Sequence, residues 1–98
     1  MPKLFEYQGI NLYFYSEEHL PIHIHAKYGK ASVVVSFYIK EGAIYKVTYT
    51  KKTKDFPVAK LKALKQFIDI YKEKIVQEWI NYFILGVDVD FKKINVKV

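Results

Sequence analysis

Residues 31–50 read ASVVVSFYIKEGAIYKVTYT, and this stretch decides the fold class. The segment from Ala31 to Ile39 is rich in Val and Phe, which favour β-strands. Glu41-Gly42 interrupts it as a turn would, and the residues that follow alternate in polarity with a period of two. The stretch therefore predicts two antiparallel strands joined by a short turn.

The sequence before this hairpin predicts further short strands. Gln8-Gly9 is a turn signal, and residues 10–15 then alternate with a period of two. A polar loop follows, and Pro21 begins another extended segment. Short strands joined by short turns predict an antiparallel meander over residues 1–52.

The period changes after Thr53. Asp55 or Thr53 can cap a helix, and Pro57 suits its first turn. Apolar residues then recur at spacings of three and four, as on one face of a helix. They are Val58, Leu61, Leu64, Ile68, Tyr71, Ile75, Trp79 and Tyr82. We expect a helical region over residues 55–85, either as one long helix or as two joined by a kink near residues 71–74.

Alternation returns in residues 87–98 and predicts a C-terminal edge strand, added to the sheet of the same chain or of a partner. Pairing with a second chain is one route to a homodimer. The expected fold is α+β, in a single domain spanning residues 1–98. It has a four- to five-stranded antiparallel sheet (a meander), a long or kinked C-terminal helix packed on one face, and the edge strand.

Composition excludes several classes of protein. With 98 residues the chain is too short for two domains. It has no cysteine, which excludes disulfides, thiolate zinc sites and cysteine nucleophiles. No apolar run approaches the roughly 20 residues of a membrane span. The N-terminus lacks a signal pattern, so we expect a cytoplasmic protein that does not enter a membrane.

The charge is basic, with 16 lysines, no arginine and 10 acidic residues, a net charge of +6. A basic balance is compatible with a nucleic-acid partner, although arginine is the usual reader of bases. The densest cluster is Lys51-Lys52-Thr53-Lys54. It is either a solvated loop beside an edge strand or a contact for phosphate or a partner.

All three histidines lie in one window, His19-Leu-Pro-Ile-His23-Ile-His25. His23 and His25 are two residues apart on a predicted strand, so they share a face. Ile22 and Ile24 occupy the opposite face, which leaves the imidazoles directed outward or towards a cleft. His19 lies in the preceding loop and can fold back to meet them.

Three interpretations of these histidines stay open. Three neutral imidazoles can bind a divalent metal and leave a fourth position for water. Imidazoles can instead carry acid–base chemistry, including cleavage of RNA without a metal, or contact a phosphate. The histidines can also simply pack beside Tyr13 or Tyr15. Glu17 and Glu18 are the nearest carboxylates that could orient the rings.

Several segments of the chain carry a family resemblance. They are Met1-Pro2, Tyr13-Phe14-Tyr15-Ser16, Glu18-His19-Leu20-Pro21-Ile22-His23-Ile24-His25 and Glu78-Trp79-Ile80-Asn81-Tyr82-Phe83. Together they resemble the bacterial family called domain of unknown function 4160, over about residues 1–85. Ile22 stands where members usually have a second proline in the segment that contains the histidines.

This resemblance implies a small α+β protein without an assigned activity. It also implies that such proteins are encoded beside a second small family, domain of unknown function 2442, in arrangements similar to toxin–antitoxin pairs. The positions that carry over are His19, His23 and His25, with Glu18 and Trp79 as lesser matches. Trp79 also lies on the apolar helix stripe, where a core role is expected.

Three functions follow as hypotheses. The first is a component of a toxin–antitoxin-type module that acts on RNA or another nucleic acid through the histidine cluster. The second is a non-catalytic binding or regulatory subunit that contacts a partner protein or DNA, with Lys51, Lys52 and Lys54 as contacts. The third is a metal-binding protein that uses the three histidines, with a divalent metal as its cofactor.

Overall fold

In a computed structural model of the protein, five consecutive strands precede a long helix and a short final strand. The structure describes residues 3–14, 22–88 and 92–94. The elements are β1 (Lys3–Tyr7), β2 (Ile10–Phe14), β3 (Ile22–Tyr28), β4 (Ala31–Lys40), β5 (Ala43–Lys51), α1 (Val58–Phe83) and β6 (Lys92–Ile94).

The strands form one sheet in the order β5-β4-β3-β2-β1-β6. Neighbours from β1 to β5 are antiparallel, which confirms the meander. However, β6 pairs with β1 of the same chain in parallel. The α+β class is confirmed, whereas the expected four- to five-stranded antiparallel sheet is wrong in strand number and in the direction of the last strand. Over the residues that the structure describes, the sheet is mixed and has six strands.

The path of α1 explains why β6 is parallel to β1. Four hairpin reversals leave β5 running in the same direction as β1. Near the start of α1, the Lys60 Nζ donates a hydrogen bond of 2.8 Å to the Gln8 carbonyl, just beyond the end of β1. Near its end, the rings of Phe83 and Phe14 are 5.6 Å apart, beside the start of β1. The helix therefore runs antiparallel to β1, and the next strand returns parallel to it.

The helix is continuous over 26 residues, so the single-helix alternative is the one observed. It begins at Val58, and Pro57 occupies the N-cap position without a side-chain cap. The expected capping by Asp55 or Thr53 is therefore wrong. The Thr53 Oγ1 instead accepts a hydrogen bond of 3.1 Å from the Ser32 amide, which ties the end of β5 to β4. Within the described residues, no helix is both long and apolar enough to cross a membrane.

The core lies between α1 and one face of the sheet, over β1, β2 and β3. The buried helix residues are Leu64, Phe67, Ile68, Ile75, Val76 and Trp79. Three positions differ clearly from the predicted stripe. Val58, in the first turn of α1, is 79% exposed, while Phe67 and Val76, which the stripe did not include, are buried. A helix packed on a sheet buries a band wider than one line of residues, which brings Phe67 inside.

Candidate functional site

Alternate side chains of the strands point away from α1 and form a surface that we call the open face. Burial of Ile22, Ile24 and Ala26 against the helix directs the intervening residues of β3 to this side, as predicted. The open face consists of Glu6, Asn11, Tyr13, His23, His25, Lys27, Ser32, Val34, Ser36, Tyr38, Lys46, Thr48 and Thr50.

His23 and His25 lie near the centre of the open face, which confirms their predicted shared side. His25 is directly opposite Tyr13 on β2, one of the two tyrosines expected beside it, and opposite Val34 on β4. His23 is opposite Ser36 on β4. Two residues along a strand separate the Cα atoms by about 6.6 Å. The two side chains are therefore neighbours on the same side of β3.

The two other predicted members of this cluster, His19 and Glu18, lie outside the described residues. The same holds for Glu17 and Tyr15. Within the part of the chain that the structure describes, no three His, Asp or Glu side chains are grouped to hold a metal ion. The metal site formed by three histidines thus stays a prediction.

His25 is in an environment that favours a neutral imidazole. Both of its ring nitrogens are shielded from water. Burial lowers the pKa of His25, and the nearby positive charges of Lys27, His23 and Lys52 lower that pKa further. A neutral imidazole can accept a proton or a hydrogen bond, whereas a protonated one can only donate.

Lysines on the open face lie against aromatic rings. The Lys27 Nζ is 5.8 Å from the centre of the Tyr13 ring, and the Lys46 Nζ is 5.5 Å from the centre of the Tyr38 ring. Each tyrosine therefore presents its ring beside a cation. The signal for these residues in the sequence is their alternation with buried ones. The consecutive apolar residues 33–35 obscure this alternation in β4, so the sequence does not assign Tyr38 to a face. Lys46 lies in β5, where the alternation is clear, but its place opposite Tyr38 depends on strand register.

The predicted lysine cluster is divided by the fold. Lys52 follows Lys51 at the end of β5, and its charge acts on His25, so Lys52 belongs beside the open face. Lys51 is paired with the buried Val33, which places it on the helix side of the sheet. Lys54 is exposed in the turn before α1. The structure therefore brings one of the three lysines to the histidines.

Glu6 is the one carboxylate among the described strand residues. Its oxygens are 2.9 Å from the Lys3 Nζ and 3.6 Å from the Lys93 Nζ. The hydrogen bond from Lys3 lowers the pKa of Glu6. Because two lysines surround this single carboxylate, Glu6 does little to offset the positive charge of Lys27, Lys46 and Lys52.

Trp79 lies on the opposite side of the sheet from the histidines. It is 7% exposed, and its ring is 5.1 Å from that of Phe83 within the core. Trp79 is therefore a packing residue of the core, which is the role expected from its place on the apolar helix stripe. It does not contact the open face.

Comparison with known proteins identifies the family. The model of the family described as a domain of unknown function (DUF4160) matches residues 9–80, and the chain belongs to this family. The match includes β2 to β5, and with them the histidines and the lysines beside them. Neither the curated proteins nor the solved structures include a match.

Proposed function

We propose that the open face binds single-stranded nucleic acid, RNA in the first place, and that the chain acts on it as a component of a toxin–antitoxin-type module. One observation supports this proposal above the others. Lys27, Lys46 and Lys52 surround two tyrosine rings and a histidine pair on a sheet face that α1 leaves uncovered.

The chemistry of this face suits a single strand. Lysine ammonium groups attract phosphates, and bases released from a duplex stack on exposed aromatic rings. Several modules that bind single-stranded RNA use an uncovered sheet face in this way. Lysine supplies charge without the planar fork that arginine uses to read guanine, so we expect weak sequence preference.

The salt dependence of binding tests this proposal. With three lysines on phosphates, the slope of log K against log salt is about −2, so affinity falls about 18-fold between about 50 and 200 mM salt. The measurement is fluorescence anisotropy of a labelled RNA of about twelve nucleotides. Lys27→Ala and Lys46→Ala should each reduce the slope by about 0.7, whereas Lys74→Ala, on an exposed helix position, should leave it unchanged. Equal effects of all three substitutions would place the contact elsewhere.

The histidine pair supports a catalytic form of this proposal. An imidazole that removes the proton of a 2′-hydroxyl lets that oxygen attack the adjacent phosphorus. The bond to the 5′-oxygen then breaks, and that oxygen takes a proton from water. The products are a 2′,3′-cyclic phosphate and a 5′-hydroxyl. We assign the contact with RNA to His23 and the positioning of the pair to His25, because the ring nitrogens of His25 are shielded.

Cleavage assays separate this catalytic form from simple binding. The His23→Ala variant should bind the RNA with nearly unchanged affinity and lose cleavage, with an unchanged circular dichroism spectrum. A strand of the same base sequence in which every ribose is replaced by 2′-deoxyribose should still bind but should not be cleaved. Cleavage that persists in the His23→Ala, His25→Ala double variant would exclude the catalytic form. Binding without cleavage by the unmodified chain would favour the non-catalytic alternative, in which the same face contacts DNA or a partner protein.

For the partner protein, we propose a small cognate chain of the domain of unknown function 2442 type, as the family resemblance implies. Co-expression with one such chain followed by size-exclusion chromatography tests this pairing. A complex of defined stoichiometry supports it. A single peak at the mass of two copies of this chain would instead favour the homodimer expected from the C-terminal strand.

A further inference from the structure

A groove lies between α1 and β5, on the side of the sheet opposite to the open face. Its volume is about 710 Å³. Val47 and Tyr49 of β5 form its floor together with Leu61 and Ile68 of α1, and Lys62 and Lys65 lie along its rim. We call it the β5 groove. It takes no part in the nucleic-acid site, so the proposal below does not depend on that site.

The groove exists because one helix cannot cover six strands. Strands are about 4.8 Å apart, so the sheet is about 24 Å wide, while a helix with its side chains is about 10 Å across. The helix packs over β1, β2 and β3. Val47 and Tyr49 therefore remain half-buried, and Val58 at the start of α1 is 79% exposed. The helix-side residues of β4 from Ala31 to Phe37 are buried, so the apolar surface that stays accessible beside α1 is that of β5.

The rim of the groove is positive. Lys62 and Lys65 are exposed, and the Lys65 Nζ is 5.3 Å from the centre of the Tyr49 ring. Asp69, also on the rim, is 3.7 Å from the Lys72 Nζ, so its charge is offset by that lysine. An occupant with an acidic edge would complement this rim.

The charge also distinguishes between occupants. A second copy of the chain carries a net charge of +6 and would bring lysines against lysines. A nucleic acid would meet a mostly aliphatic floor with a single aromatic ring, that of Tyr49, whereas the open face offers two tyrosine rings. A protein helix with an apolar face satisfies both the floor and the rim.

We propose that the β5 groove binds an amphipathic α-helix of an acidic partner protein. The apolar face of that helix packs on Val47, Val58 and Leu61, and its Asp or Glu residues lie against Lys62 and Lys65. The groove follows α1 from Val58 to Lys72, so about 15 residues of the partner, or about 22 Å of helix, are enough to fill it. The arrangement is the helix-in-groove mode of recognition.

A designed peptide tests the proposal on the full chain. The probe has about sixteen residues, with Leu at helical spacings of three and four and Glu beside them. The control peptide has the same composition with the Leu positions shuffled. By fluorescence anisotropy the full chain should bind the probe and should bind the shuffled peptide at least about tenfold more weakly, because shuffling removes the apolar face.

Matched variants of the chain then locate the contact. Lys65→Glu should weaken probe binding about fivefold, because it replaces an attraction by a repulsion, and Val58→Ser about threefold. Lys74→Glu makes the same change of net charge at an exposed helix position outside the groove and should change the affinity less than twofold.

Three results would overturn the proposal. The first is equal binding of the probe and the shuffled peptide, or no binding of the probe at about 1 mM, which is near the weakest affinity of a specific site. The second is an equal effect of Lys65→Glu and Lys74→Glu. The third is displacement of the probe by RNA with a matching loss of RNA affinity in Lys65→Glu, which would make the groove a nucleic-acid surface. The first two results leave the open face untested, since Lys27 and the histidines are unchanged in every variant, whereas the third would also contradict the assignment of RNA to the open face.

Discussion

Replacing Phe67 by alanine should destabilise the protein more than any change at a nearby exposed helix position. Phe67 is fully buried between α1 and β1. Its ring is stacked on Tyr7 at 4.9 Å and on Tyr71 at 4.5 Å, and it meets Phe5 edge-on at 5.5 Å. One substitution therefore removes three aromatic contacts, two of which, those with Tyr7 and Phe5, join the helix to the sheet.

The magnitude follows from burial and ring contacts. A Phe→Ala change in a core costs about 3–5 kcal/mol, and offset or edge-on ring pairs contribute beyond the buried area. We expect a loss of about 4 kcal/mol in the free energy of unfolding for Phe67→Ala. A domain of 98 residues has a total stability of about 5–15 kcal/mol. The variant should therefore still fold, with a melting temperature lower by about 16 °C or more.

Urea denaturation followed by circular dichroism measures this loss, and Ile70→Ala is the matched control. Ile70 lies one turn further along α1 but is 60% exposed, so its truncation should cost less than about 0.5 kcal/mol. Phe67→Leu should fall between the two. A loss below about 1.5 kcal/mol for Phe67→Ala, or an equal loss for Ile70→Ala, would refute the packing of α1 on β1 described above.

Three further predictions concern charge and backbone conformation. The pKa of His25 is lower in the folded protein than in the unfolded chain, so the unfolded chain is protonated first as the pH falls. The free energy of unfolding should therefore decrease below about pH 6.5. His25→Gln should remove most of this decrease in the urea midpoint measured against pH. Burial, and then the charge of Asp69, raises the pKa of Tyr49 to about 12. The free energy of unfolding should therefore decrease as the pH rises from about 10 towards 12, because the unfolded chain loses this proton first. In a spectrophotometric titration, Tyr49→Phe should lack the phenol that ionises at the highest pH. Gly9 and Gly42 both have a φ of +80°, so alanine at either position should lower the free energy of unfolding by about 1 kcal/mol, measured by thermal unfolding. Gly9→Ala should cost more than Gly42→Ala, because the new Cβ would lie 3.1 Å from the Tyr28 ring. Equal costs would contradict this close approach.

Much of the fold could be predicted from the sequence because it depends on local periods. The turn at Glu41-Gly42 and the alternation in β3 give strands and faces directly. The direction of β6 could not be predicted this way. It depends on where α1 ends relative to β1, which is a tertiary property, and the described strand is only Lys92–Ile94. A strand of three residues is too short for its alternation to indicate which strand it pairs with.

The candidate site was predictable to the same limit. The spacing of His23 and His25 determines their shared face, and the structure confirms it. The neighbours of the histidine pair depend on strand register. The register of β2 and β3 brings Tyr13 opposite His25, and that of β4 and β5 brings Lys46 opposite Tyr38. Register is set by turns and by packing across the sheet, so no single segment of the sequence records it.

The net charge of +6 is one number in the sequence, but the fold divides it between two surfaces. Lys27 and Lys46 lie on the open face, whereas Lys62 and Lys65 lie on the far side of the sheet, along the β5 groove. A sheet and the layer packed on it are about 10 Å apart, and exposed charges separated by more than about 8 Å are largely screened at physiological salt. Each set of lysines therefore forms a separate positive surface. The net charge alone cannot tell whether the protein binds one polyanion or two acidic ligands on opposite faces. The side of the sheet on which each lysine lies is therefore a better guide to function than the net charge.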